Sequence, residues 1–213
     1  MKKEEKILDY YVLCNRLKNI IRTGWKDWNV KRERIESVAE HIFGTQMLAI
    51  SMQSEYNYDI DLKKVILMLS VHELEEIMIG DLTAFQISRE EKAKLGHIAI
   101  KKVLENLTIG EDIEKLILEF DERKTMEAKF AYWCDKLECD LQCRLYDLEN
   151  CVNLNDQPNN TAIHDGDVKN LLASGKSWSE MWLDFGQTRY NYDENFMSVS
   201  EYAKKNDITV NRK

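Results

Sequence analysis

Apolar residues recur at helical spacing along most of the chain, and this periodicity predicts an all-α protein. No segment alternates apolar and polar residues convincingly enough to predict a strand. The predicted helices cover residues 7–21, a stretch that starts at Ser37 and passes Ile50, and residues 62–78, 88–107, 111–122 and about 125–152.

Helix starts are marked by serines followed three residues later by glutamate, the spacing of a capping box. The pairs are Ser37/Glu40, Ser88/Glu91, Ser177/Glu180 and Ser198/Glu201. The segment RTGWKDWNVKRER predicts a basic, aromatic loop, and NLNDQPNNT predicts a loop around the only proline. We therefore expect a helical domain over residues 1–152 and a helical C-terminal extension over residues 153–213, packed on the same domain.

Composition narrows the class of ligand. The 213 residues carry a net charge of −8, which argues against binding of polymeric nucleic acid. Residues 1–34 nevertheless carry a local charge of +5, so the rest of the chain carries −13. A basic segment beside an acidic body suits a small anionic ligand near a metal, although a solvated basic face explains the charge equally well.

Cysteine usage and hydropathy predict the compartment. An odd count of five cysteines without a C-x-x-C pair is typical of a reduced compartment. The N-terminus lacks the apolar run of a signal peptide, and no window approaches the length of a membrane span. We expect a cytoplasmic protein that does not contact membranes.

Three predicted helices carry ionisable residues among apolar neighbours. They are His41 on the second helix, His72, Glu73 and Glu76 on the third, and Asp135 on the sixth. In a continuous helix His72 and Glu76 share a face, whereas Glu73 points about 100° away from His72. Two imidazoles and two carboxylates that converge inside a bundle would form a mixed N/O site for a divalent metal.

Simpler explanations exist for each of these residues. A lone histidine near an apolar face is commonly a hydrogen-bonded core residue. Asp135 has Lys136 beside it as an ion-pair partner, and Glu75 is expected to face solvent. Periodicity alone leaves the metal site and these alternatives open.

Three motifs follow one another along the chain, and they are ESVAEH, VHELEEIMIGDLT and WCDKLE. In this order they resemble the H…HD…D pattern of the HD-domain phosphohydrolases. RLKNIIRTGW and FDERKTMEAKFAYWCDKLE are similar to segments of the small 5′-deoxynucleotidase-type branch. The resemblance covers roughly residues 13–150 and implies an HD-domain helical bundle with additional C-terminal helices.

The resemblance also implies roles for individual residues. The family's metal ligands fall on His41, His72, Glu73 and Asp135. Two imidazoles with carboxylates suit one Mn²⁺, Co²⁺, Fe²⁺ or Zn²⁺ ion better than Mg²⁺. One position departs from the pattern, because the family's His-Asp doublet is His72-Glu73 here.

Further family positions concern the substrate. Arg22 falls on the family's arginine that orients the substrate phosphate. Glu76 falls on the acid three residues beyond the family's doublet, and Asp81 falls on the acid of its G-D-hydrophobic segment. We expect Glu76 to orient or deprotonate the attacking water and Asp81 to assist proton transfer or fix a sugar hydroxyl. Thr23, Trp25 and Thr83 are further candidates for substrate contact, and Trp25 equally suits packing between loop and bundle.

The implied substrate is a nucleoside monophosphate, most simply a deoxynucleotide, and relatives suggest a homodimer. Two other functions stay open at this point. One is a catalytically impaired HD-fold module that binds metal or nucleotide, with Glu73 marking lost turnover. The other is a different metal chemistry on the same scaffold, such as oxidation with iron.

Overall fold

The structure is a computed structural model that describes residues 1–209. The α-helices are α1 (Lys3–Asn15), α2 (Thr23–Asp27), α3 (Val38–Tyr56), α4 (Leu62–Val71), α5 (Glu76–Ile79), α6 (Arg89–Leu104), α7 (Gly110–Glu122), α8 (Met126–Leu148), α9 (Gly166–Leu172), α10 (Trp178–Arg189) and α11 (Glu194–Lys205). Short 3₁₀ helices cover Arg16–Asn19 and Ala162–His164. The all-α prediction is confirmed, since extended pairing within residues 1–209 is limited to an isolated antiparallel bridge between Ile21 and Ser37.

Local capping chemistry sets several helix starts. The Ser37 side chain accepts from the Glu40 amide, and the Glu40 side chain bonds back to the Ser37 amide, as predicted for α3. The same box forms at Ser177 before α10. The box predicted at Ser198/Glu201 is wrong, because the Asp193 side chain caps α11 and Ser198 lies inside that helix.

Other boundaries differ from the prediction. The helix predicted over residues 7–21 ends at Asn15 and continues only as the 3₁₀ helix. Four apolar side chains on α1 (Ile7, Leu8, Tyr11, Val12) are exposed. Part of the segment predicted as a basic loop forms the short helix α2. No helix within residues 1–209 combines the length and apolarity needed to cross a membrane.

The chain divides into two compact units. The first comprises Met1–Thr23 and Glu36–Tyr132, and the second comprises Gly24–Ile35 and the chain from Trp133 onward. The division therefore falls within α8. The predicted domain boundary at residue 152 stays a prediction.

The first unit has an aliphatic core that anchors the segments on either side of the ionisable residues. Its buried members are Leu17, Val38, Val71, Leu74, Ile77, Ile100, Val103, Leu104, Ile113 and Ile117. Val38 precedes His41 on α3 and Val71 ends α4. Leu74 and Ile77 lie between the acidic residues that follow α4. Burial of this apolar set fixes the backbone that carries the site.

The second unit is rich in aromatic contacts. Trp25 packs edge-on against Tyr146 at 5.3 Å and against Trp178 at 6.2 Å between ring centroids. Arg144 donates hydrogen bonds to Ser179 and to the carbonyls of Ala203 and Asn206. These contacts tie the segments of the second unit to one another.

Candidate metal and phosphate site

The ionisable segment begins where α4 ends. The sequence predicts one helix over residues 62–78, but α4 stops at Val71 and residues 72–75 form turns before α5. The amides of Leu74, Glu76 and Ile77 each donate to the carbonyl three residues earlier, as in a 3₁₀ winding. The tighter winding changes which side chains share a face, so the four-residue spacing of a continuous helix does not apply to His72 and Glu76.

Three of the predicted ligands come together in the first unit. Glu73 Oε1 lies 3.7 Å from His72 Nε2 and 3.9 Å from His41 Nε2, and the two imidazole rings are 5.7 Å apart. All three residues are buried. The prediction that Glu73 points away from His72 is therefore wrong, because its carboxylate reaches both imidazoles.

The donor set fits a divalent metal ion. His72 Nδ1 lies 2.8 Å from the Leu69 carbonyl, so this nitrogen carries the proton. That tautomer leaves a lone pair on Nε2, the atom that faces Glu73, and fixing the second ring nitrogen in this way is typical of metal-binding histidines. One ligand atom from each of His41, His72 and Glu73 lies within 4.8 Å of the others. The three residues form a cluster able to bind a metal.

Asp135, the fourth predicted ligand, belongs to the second unit. It lies on α8, is buried, and forms an ion pair with its neighbour Lys136 at 2.8 Å. This ion pair is the one that the sequence predicts if Asp135 has only a structural role. The pair uses one carboxylate oxygen, and a carboxylate has a second oxygen that can bind a metal. Its part in metal binding stays a prediction.

Arg22 lies beside the cluster although 51 residues separate it from Glu73. Arg22 Nη1 donates to Glu73 Oε1 at 3.4 Å. The Arg22 amide donates to the Glu36 carbonyl, next to the bridge between Ile21 and Ser37. This pairing holds Arg22 close to the start of α3, the helix that carries His41.

The acid of the G-D segment binds the residue after Arg22. The Thr23 amide donates to Asp81 Oδ2 at 2.5 Å, and the Thr23 hydroxyl donates to the Asp81 carbonyl at 2.6 Å. Gly80, with φ of +75°, turns the chain immediately before Asp81. These two hydrogen bonds therefore hold Asp81 next to Thr23, the residue that follows Arg22.

Two other predicted substrate residues have different surroundings. The Thr83 hydroxyl is buried and has no hydrogen-bond partner within residues 1–209. Trp25 is buried among the aromatic side chains of the second unit, in the packing role that the sequence left open. Substrate contact by either residue stays a prediction.

Glu76 and Glu75 are carboxylates in an acidic environment. Burial, followed by the Glu73 and Asp81 carboxylates, holds the pKa of Glu76 well above its usual value, although Lys92 and Arg22 act in the opposite direction. Burial and the Glu73 carboxylate raise the pKa of Glu75 to about 8. The prediction that Glu75 faces solvent is wrong, because its Oε2 is buried without a hydrogen-bond partner among the described residues.

Lys92, which the sequence did not predict as part of the site, lies among these acids. Its Nζ lies 3.4 Å from Glu76 Oε1 and donates to the Leu82 carbonyl at 2.9 Å. Lys92 is one of several charged residues at the start of α6, and no local pattern distinguishes it from them. The only available signal was the surplus of acids between Glu73 and Asp81, which requires a cation from elsewhere.

The comparisons with known proteins agree on one family. A family model described as HD domain matches residues 14–165. The chain is 34% identical over 160 residues to the 5′-deoxynucleotidase HDDC2 of Dictyostelium discoideum, across 69% of this chain and 83% of that protein. It is 30% identical over 148 residues to the human protein of the same name, across 67% of this chain and 70% of that protein.

Solved structures support the same fold. A conserved hypothetical protein from Pyrococcus furiosus is 26% identical with a TM-score of 0.58, over 73% of this chain and 91% of that one. A predicted metal-dependent phosphohydrolase from Magnetospirillum magnetotacticum has a TM-score of 0.63 over 95% of this chain and 91% of that one. At 18% identity, the second likeness concerns the fold alone.

Proposed function

Because this chain belongs to the HD domain family, we propose that it is a metal-dependent phosphohydrolase that removes the 5′-phosphate from deoxynucleoside monophosphates. The observation that carries the proposal is the meeting of His41, His72 and Glu73 with the Arg22 guanidinium in one unit. A cluster of metal-binding side chains with an arginine beside it suits an anionic phosphate ester. The relatives' names supply the nucleotide part of the proposal.

The proposed cofactor is one divalent ion held by His41, His72, Glu73 and Asp135. Two imidazole nitrogens favour Mn²⁺, Co²⁺, Fe²⁺ or Zn²⁺ over Mg²⁺, which prefers oxygen ligands and water. When bound, the ion lowers the pKa of water and offsets the charge that develops on the phosphoryl group. The longer Glu73 side chain supplies the same type of oxygen ligand as the aspartate of the family pattern.

The protein's own groups supply binding and proton transfer in this proposal. The Arg22 guanidinium binds two phosphate oxygens, a paired contact that lysine does not reproduce. Glu76, whose side chain is buried beside Lys92, accepts the proton of the water whose oxygen attacks phosphorus. As the bond between phosphorus and O5′ breaks, O5′ takes up a proton. Asp81 assists this transfer or binds a sugar hydroxyl.

Assembly and location are proposed on separate grounds. The exposed apolar side chains of α1 (Ile7, Leu8, Tyr11, Val12) support a homodimer, because such stripes commonly mark protein interfaces. The five cysteines are free, which supports the reducing environment of the cytoplasm. The acidic net charge supports a small nucleotide rather than polymeric nucleic acid as the substrate.

Phosphate release tests the proposal. The protein is stripped of metal, reloaded separately with Mn²⁺, Co²⁺, Zn²⁺ or Mg²⁺, and assayed on 5′-deoxynucleotides, 5′-ribonucleotides and 3′-nucleotides. We expect metal-dependent release from the 5′-deoxynucleotides. Glu76→Gln should lower turnover roughly 100-fold or more without changing metal content.

Glu90→Gln, an exposed neutralisation on α6, is the matched control and should leave turnover unchanged. Nucleotide binding without phosphate release under every metal would contradict the proposal and favour an impaired binding module. Phosphate release that is unaffected by Glu76→Gln would contradict the role given to that carboxylate.

A further inference from the structure

Lys92 places an ammonium group among the acids between Glu73 and Asp81, with its Nζ 3.4 Å from Glu76 Oε1 and 2.9 Å from the Leu82 carbonyl oxygen. Its side chain is 29% exposed, whereas the Glu76 side chain it meets is 0% exposed. An ion pair of this kind orders its carboxylate far more than a surface pair does, because water does not compete at the buried oxygen.

The acids around Lys92 favour its charged form. Burial lowers its pKa, but the carboxylates of Glu73, Glu76, Glu75 and Asp81 together outweigh burial and raise the pKa above the usual value. Lys92 is therefore an ammonium group with three donors at neutral pH. One donor serves Glu76 and another serves the Leu82 carbonyl.

The two oxygens of Glu76 differ in their surroundings. Oε1 faces Lys92, whereas Oε2 is buried and accepts no hydrogen bond from the described residues. Fixing one oxygen stops the carboxylate from rotating about its last bond. The second oxygen then keeps a constant direction and stays available to accept a proton.

The second contact of Lys92 reaches the segment after Gly80. Leu82 lies between Asp81, which binds Thr23, and Thr83, whose buried hydroxyl has no hydrogen-bond partner within the described residues. A donor on the Leu82 carbonyl fixes the backbone between these two side chains. Lys92 thus contacts both the carboxylate of Glu76 and the Asp81–Thr83 segment, and it fixes their positions relative to each other.

We propose that Lys92 is a positioning residue for phosphohydrolysis, which aims Glu76 Oε2 at the attacking water and fixes the Asp81–Thr83 segment beside it. The proposal rests on the proposed function, because it assigns Lys92 a role in the same reaction. The competing explanation is an ion pair that only stabilises the first unit. The two explanations differ in whether the effect of Lys92 passes through Glu76.

A double-mutant cycle separates them. Lys92→Met should lower kcat about 100-fold with metal content unchanged, because a small misplacement of a catalytic group has an effect of this size. In the Glu76→Gln background the same change should lower the residual kcat by no more than about tenfold, since the carboxylate that Lys92 aims is already lost and only its hold on the Asp81–Thr83 segment remains. Lys94→Met, an exposed change on the same helix, is the control and should leave kcat unchanged.

A second variant covers the case in which Lys92→Met folds poorly. Lys92→Ala leaves space near Glu76, and added ethylammonium chloride should raise its kcat several-fold while leaving wild-type kcat unchanged. A purely structural lysine would give equal losses in both arms of the cycle and no rescue, and that result would overturn the proposal.

The wild type separates this failure from failure of the proposed function. A wild-type enzyme that releases no phosphate from any nucleotide would remove the proposed function and the Lys92 role with it. An active wild type with an equally active and folded Lys92→Met variant would remove the Lys92 role alone.

Discussion

Two groups of carboxylates in this protein have opposite electrostatic settings. In the first unit, burial and neighbouring acids raise the pKa of Glu75 to about 8 and that of Glu76 well above its usual value. In the second unit, hydrogen bonds from Lys204 and Lys205 lower the pKa of Glu201 to about 2. Asp184 is bound by Lys176 and Lys204, whose hydrogen bonds outweigh its burial and lower its pKa.

The difference separates structural acids from candidate functional ones. Glu201 and Asp184 have their cations beside them and require nothing further. Glu75 and Glu76 are crowded by other acids, and each has a carboxylate oxygen without a hydrogen-bond partner among the described residues, so they favour the arrival of a proton or a metal ion. A fold that keeps such a cluster loses stability there, which is the pattern expected of a functional site.

Of the three substitutions described here, we expect the largest effect from a change at Arg22, whose guanidinium contacts Glu73. Arg22→Lys keeps the charge but loses the paired hydrogen bonds to phosphate. We expect turnover of 5′-deoxynucleotides to fall roughly 100-fold, the usual cost of removing one donor from a developing oxyanion. Steady-state kinetics and metal analysis of the same preparations measure the two quantities.

Metal content should stay constant in Arg22→Lys. Unchanged turnover would mean that other residues bind the phosphate. The cluster of His41, His72 and Glu73 would then bind metal without Arg22 as its phosphate-binding residue. Arg89→Lys, at the exposed start of α6, is the matched control.

A smaller effect is expected at Glu73, whose Oε1 lies between the two imidazoles. Glu73→Asp shortens the side chain by one methylene group and withdraws the carboxylate from both nitrogens. Affinity for Mn²⁺ should fall about 10-fold, within the range seen when ligand geometry is disturbed. Titration calorimetry on metal-free protein measures the change.

A gain of activity in Glu73→Asp would also be informative. A large gain in phosphatase activity in Glu73→Asp would mean that this site is an impaired form of one built for aspartate. Glu75→Asp, two residues away in the same turn, controls for general disturbance of the segment and should leave Mn²⁺ affinity unchanged.

The smallest effect concerns Asp184 and affects stability rather than activity. Asp184 has a lowered pKa in the folded protein, so its stabilising contribution is present above the unfolded-state pKa and is lost as pH falls through the folded value. Asp184→Asn should lower the free energy of unfolding by about 1 kcal/mol at pH 7. The difference should shrink as pH falls below the unfolded-state pKa of about 3.9 and disappear below the lowered folded-state pKa.

Urea unfolding of both proteins across this pH range measures the effect. Asp59→Asn, an exposed change in the first unit, should be neutral at every pH. A penalty for Asp184→Asn that persists at low pH would mean that packing, and not charge, accounts for it.

The sequence predicted the features that depend on neighbouring residues. The starts of α3 and α10 were predictable because Ser37 and Ser177 each have a glutamate three positions later. The break after Val71 was not, because apolar residues continue through Leu74 and Ile77 and Gly80 is the first helix breaker. Only the three-residue hydrogen-bond spacing of residues 74–77 distinguishes this turn from a helix.

For the candidate site, residue types were predictable and their partners were not. Motif order selected His41, His72, Glu73 and Arg22, which the fold brings together. Lys92 and the buried setting of Glu75 depend on how α6 packs against α5, and that packing has no local sequence signal. Periodicity places a residue on a face, but tertiary contacts decide which charge it meets.

The bridge between Ile21 and Ser37 has a consequence for the order of folding. It closes a loop of 16 residues, whereas 51 residues separate Arg22 from Glu73. The entropy cost of loop closure grows with the logarithm of length, so the shorter loop is about 1 kcal/mol easier to close. During synthesis from the N-terminus, Arg22 and the start of the helix that carries His41 can therefore be brought close before His72 has left the ribosome.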